Sequence, residues 1–135
     1  MCYYEPMDWE IAPDINGRIK KILASGIFLN VSGDFIIGLR GFGSTSRAVA
    51  RIWSFPRPWQ LALSLTPRYI IEVIAERFDR LSEEEKDKVL IHELMHIPKK
   101  FTGSLVPHRN RGRKINHKNV DLIYDHYLAR RGSVK

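Results

Sequence analysis

The chain has 135 residues, 44% of them hydrophobic, and its 22 Lys and Arg outnumber 15 Asp and Glu for a net charge of +7. That length predicts one domain with a real core, no stretch reaches the ~18 apolar residues a membrane span needs, and the acidic, aromatic start MCYYEPMDWE lacks the pattern of a signal peptide. The single cysteine, Cys2, excludes an internal disulfide and a cysteine-based zinc knuckle, so any metal site must use His, Asp or Glu, and a reducing, cytoplasmic setting fits.

Residues 1–12 read as loosely ordered. PDINGRIKKILAS then predicts a helix over 13–25, with Ile15, Ile19, Ile22 and Leu23 at helical spacing. Gly26 stops it, and Asn16-Gly17 weakens its start. DFIIGLR (34–40) reads as a strand and GFGSTS (41–46) as a turn. RAVARIWSF (47–55) alternates and predicts a second strand, with Ala48, Ala50 and Ile52 on one face. Prolines bracket a short apolar turn or helix up to Pro67, with Trp59 in it; Trp53 and Trp59 are expected in the core or at a sheet edge. YIIEVI (69–74) is β-branched and predicts a third strand.

The strongest helix signal follows. Ser82 with Glu85 three residues on forms a capping box, and Glu83 and Glu84 complement the positive end of the helix dipole. This helix is expected over 82–97, ended by Pro98. A loop spans 99–115, and Asn116 caps a last helix with Val120, Ile123, Tyr124, Tyr127 and Leu128 along one side. Tyr124 and Tyr127 are expected to pack that helix rather than to serve chemistry.

LIHELMHIPKK (90–100) carries the chemistry. His92 and His96 stand four apart, which on a helix puts both imidazoles on one face, roughly 5–6 Å apart at Cβ. Two imidazoles so placed share one tetrahedral zinc. Glu93, directly after the first, falls beside the metal rather than on it, where a carboxylate takes a proton from water and returns it to a leaving amine. A catalytic zinc wants three protein ligands and one open position. Downstream, His108, His117, His126, Asp121 and Asp125 all offer a third donor. The loop carrying His108 is long enough to fold back over the helix end, which puts it first; His117, at the start of the last helix, comes next.

VLIHELMHIPKKFTGSLVPH resembles a family of small metallopeptidases of phages, archaea and bacteria, with a HEL-x-HIP core, then F-x-G-x-L and a P-H pair. The matching residues are His92, Glu93, Leu94, His96, Ile97 and Pro98, then Phe101, Gly103, Leu105, Pro107 and His108. The resemblance spans about residues 34–130. It implies an α+β, minimal zincin fold similar to the SprT-like group. A small, mostly antiparallel sheet packs on the active-site helix, between an N-terminal and a C-terminal helix. It also implies Zn2+ held by His92, His96 and His108, with Glu93 as general base. No G-x-x-H follows His96, so the metzincin pattern is missing, and so is the downstream E-x-x-x-D of thermolysin-like enzymes.

Two further expectations concern substrate. YIIEVI is expected to border the cleft and to pair its free backbone groups with an extended peptide. The basic loop 109–118, with Arg109, Arg111, Arg113 and Lys114, reads as a solvated loop or as a surface for an acidic substrate or nucleic acid. The competing function is therefore a nucleic-acid-associated binding module with a structural or vestigial zinc site. A two-metal nuclease lacks the clustered carboxylates it would need.

Overall fold

A computed structural model describes residues 8–112 and 114–133. Cys2, with the rest of residues 1–7, and Arg113 lie outside the described residues. The elements in order are β1 (Asp8–Ile11), α1 (Pro13–Ala24), a 3₁₀ turn (Gly33–Phe35), β2 (Ile36–Phe42), β3 (Ala50–Trp53), α2 (Arg57–Leu63), β4 (Tyr69–Ile74), α3 (Ala75–Phe78), α4 (Glu83–Leu94) and α5 (His117–Ser133). The architecture is α+β, as expected. Residues 8–11 correct the expectation of a loose start: they pair with β2, which satisfies their backbone groups.

The sheet has the order β1-β2-β4-β3. β1 and β2 pair antiparallel, β2 and β4 parallel, and β4 and β3 antiparallel. This corrects the placement of YIIEVI. As β4 it is an inner strand with a neighbour on each side, and its backbone groups are spent on β2 and β3. A nearly unbroken apolar run is what an inner strand needs, because both of its faces are covered. Among the described residues, the sheet ends on that side at β3.

α1 begins with Pro13 at its first turn, where a missing N–H costs nothing, and Gly26 ends it at φ +83°. Ile15, Ile19 and Ile22 are fully buried, each worth about 1.5–3 kcal/mol, which fixes a helix too short to hold by itself. Asn16 does not delay its start. Its side chain donates to Ala12 O (3.1 Å) and accepts from Gly38 N (2.7 Å), tying the helix to β2. Gly38 permits that approach: a Cβ there would meet Ile15 Cγ2 at 2.8 Å.

The core lies between sheet and helices. Tyr69, Ile71 and Val73 of β4 join Leu90, Ile91 and Leu94 of α4 and Val120, Ile123, Tyr124 and Tyr127 of α5. Ser82 caps α4 as expected, its hydroxyl accepting from Glu85 N at 3.2 Å. The regular helix stops at Leu94, three residues sooner than expected; His96 N then bonds Glu93 O in a tighter turn. Asn116 caps α5, its side chain accepting from Asn119 N at 2.9 Å.

On the opposite sheet face, Trp59 of α2 lines a cavity with Trp9, Leu39, Trp53 and Ile70. Glu72 is buried there with 0% exposure and accepts from Arg51 Nε (2.8 Å) and Trp53 Nε1 (2.9 Å). Burial pushes its pKa up, but Arg51 and the indoles of Trp53 and Trp9 outweigh this and hold it below the ordinary value. Trp53 is at the sheet edge, as expected, and half exposed. Trp59 is neither core nor edge: it stands on α2 and is 58% exposed. Among the described residues, no helix is long and apolar enough to cross a membrane.

Candidate metal centre

α4 delivers His92 and Glu93, and the tighter turn that follows delivers His96. The imidazole centroids of His92 and His96 are 5.3 Å apart. The loop after Pro98 then returns over the helix end. Its Val106 N donates to His96 O (2.7 Å), and His96 Nδ1 stands 2.6 Å from Val106 O. A carbonyl only accepts, so Nδ1 carries the hydrogen and Nε2 keeps its lone pair free.

Two residues on, His108 enters the cluster. Its ring centroid is 4.6 Å from that of His96 and 5.2 Å from that of His92. One donor nitrogen from each of the three lies within 4.8 Å of the others. His92 Nε2 and His108 Nε2 are 3.2 Å apart. Two nitrogens bound tetrahedrally to one zinc at 2.0–2.1 Å stand about 3.3 Å apart, so this spacing and donor set fit such an ion.

The electrostatics follow from burial. The His92 pKa is lowered to about 4, first by burial and then by the charges of His96, His108 and His117. The His96 pKa is also lowered, chiefly by burial and against its bond to Val106. Both groups thus stay neutral, the form in which imidazole binds metal, further into acid than a free imidazole does. Glu93 is 8% exposed, and burial raises its pKa to about 7. Among the described residues, nothing hydrogen-bonds its carboxyl group. It lines a cavity of about 320 Å³ with the three histidines, Leu105 and the β3 residues Ala50, Arg51 and Ile52.

The other downstream donors stay out. His117 is exposed at the start of α5 and lines an adjoining cavity. Asp121 pairs with Lys88 Nζ at 3.1 Å, and Asp125 and His126 are exposed on α5. Arg109, Arg111 and Lys114 of the basic run face solvent. Tyr124 and Tyr127 are core residues, as expected.

Against this geometry, the model of a family described as "putative phage metallopeptidase" matches residues 7–122. The chain belongs to this family. The matched span takes in the whole sheet, α4 and all three clustered histidines. No curated protein and no solved structure matches the chain. Membership in a metallopeptidase family and three converging imidazoles together support a metal ion at this cluster.

Two features of the site escape sequence reasoning. One is the β3 edge as its wall. The other is the adjoining cavity of about 460 Å³, whose apolar lining includes Ala48, Val49, Leu81, Val89 and Val120. The only sequence signal was the small residues Ala48 and Ala50, which leave room beside the helix.

Proposed function

We propose that the protein is a zinc-dependent peptidase, its metal held by His92, His96 and His108, with Glu93 as general base. The observation that carries this is the convergence of three imidazoles beside a buried, otherwise unbonded glutamate. Zinc bound there supplies Lewis acidity, acidifying water and polarising a carbonyl. Every remaining task falls to the chain. Glu93 is poised near neutrality to take a proton from the attacking water and to hand it to the departing amine. Val106, by accepting from His96 Nδ1, fixes the tautomer that leaves Nε2 available.

The peptide is best accommodated along β3. Among the described residues β3 is the last strand of the sheet, and Ala50 and Ile52 border the cluster, so an extended substrate adds to the sheet there. The adjoining 460 Å³ cavity lies beside His92 and Glu93 and takes an apolar side chain next to the scissile bond. The lone cysteine agrees with action in the cytoplasm.

The test is cleavage of unfolded protein and peptide mixtures by the zinc-loaded protein and by Glu93→Gln. The variant should keep its zinc and lose at least about 100-fold in rate. Undiminished cleavage by it would remove Glu93 from the mechanism.

A second reading rests on Arg109, Arg111, Lys114 and Lys118, all exposed and close in sequence to His108. They supply a surface for nucleic acid, compatible with a structural zinc or with a peptidase recruited to its substrate. DNA or RNA binding that weakens steeply with salt supports it, and salt-indifferent or absent binding rejects it.

A further inference from the structure

His108 sits on an exposed loop, yet the segment leading to it is bound from below by two buried polar side chains. Gln60 of α2 is 5% exposed, and its amide donates both to Thr102 O and to Phe55 O, each at 2.8 Å. Tyr69 of β4 is 1% exposed; its hydroxyl accepts from Gly103 N (2.9 Å) and donates to Ser104 O (2.8 Å). Phe55 N donates to Gly103 O at 2.7 Å, and the Phe101 ring meets Tyr69 edge-on at 5.0 Å. Gly103 itself has φ +93°, and a Cβ there would lie 2.3 Å from Phe55 O and 2.6 Å from Gln60 Nε2.

We infer that Gln60 and Tyr69 are positioning residues for the metal site: they hold 101–104 on the sheet so that His108 is already beside His92 before a metal arrives. This rests on the proposed zinc site. The physical reason is preorganisation. A third ligand on an unanchored loop must lose its freedom on binding, and the affinity drops accordingly. Here that ordering is completed during folding. The four bonds from Gln60 and Tyr69 span 42 and 35 residues of sequence where they reach Thr102 and Ser104. They fix 102–104 from the sheet side, while the Val106–His96 bonds hold the loop from the helix side and Ile115 N donates to His108 O at 3.0 Å.

A structural role alone would weaken any property of the protein. A positioning role acts through His108 and vanishes when His108 is gone. The experiment is therefore a double-mutant cycle on zinc affinity, with free zinc set by a competing chelator. It compares the parent, Tyr69→Phe, His108→Ala and the double variant, with Gln60→Ala carried through the same cycle. Tyr69→Phe should lower zinc affinity about tenfold or more in the parent and less than about twofold in the His108→Ala background. If Tyr69→Phe does not fold, Gln60→Ala is read by the same rule. Equal losses in both backgrounds overturn the inference, as does no loss in the parent. Zinc binding that needs His108 but ignores both variants overturns this inference alone. A parent that takes up no zinc overturns it together with the metal site.

Discussion

His92 Nε2 and His108 Nε2 stand 3.2 Å apart although 16 residues separate them in the chain. One comes from a packed helix, the other from a solvent-facing loop. Two neutral imidazole nitrogens gain little from facing each other at that distance unless they share a proton or an ion. The pairing therefore favours His108 over the other downstream groups as the proposed third donor.

Metal content separates the alternatives. The parent purified without added metal should carry about one zinc per chain. His108→Ala should lose most of it and His117→Ala should keep it, because His117 lies outside the cluster. Elemental analysis of the three proteins decides. Retention by His108→Ala together with loss in His117→Ala would move the site towards α5.

Glu93 makes the metal-free protein pH-sensitive. Its folded pKa, about 7, lies above the ordinary 4.5, so between those values the folded chain holds a proton that the unfolded chain has released. The stability it contributes is complete below about pH 4.5 and lost by about pH 7, a change of up to about 3 kcal/mol. With chelator present, Glu93→Gln should melt above the parent at pH 8 and level with it near pH 4.5. Thermal unfolding across that range checks this. A metal-free Glu93→Gln that melts below the parent at pH 8 would mean that the carboxylate has a stabilising partner.

The apolar cavity predicts selectivity. Ala48 sits half-buried at its wall, so Ala48→Phe narrows it without touching the histidines. Substrates with a large apolar residue beside the cleaved bond should lose about 10-fold or more in kcat/KM, while those with Gly or Ala there should change little. Zinc content should be unaltered. A uniform loss across substrates would show that the cavity does not read the side chain.

Much of this was legible in local sequence. Ser82 and Asn116 cap their helices as the pattern requires, and HELMH places two imidazoles and Glu93 together. What was not legible depends on pairings distant in the chain. Spacing alone left five residues open as a third ligand, because the path of the loop is set by Gln60 and Tyr69, far away in sequence. Loop length put His108 first, and the family resemblance agreed. YIIEVI was misplaced at the edge for a similar reason. Its apolar run does not show which strands flank it, and Glu72 within it is buried against Arg51 and Trp53 of β3. Alternation reports which face a residue takes, not how many neighbours its strand has.

The division of the triad between α4 and a surface loop has a consequence for the protein's own survival. An ion held by all three imidazoles would tie the loop to the helix end as a reversible cross-link, closing the stretch that carries Lys99 and Lys100. Each of these is a cutting point for trypsin-like enzymes when the backbone is free to open. Metal supply would then set how long the molecule lasts among other proteases, because the ion favours the closed form by mass action.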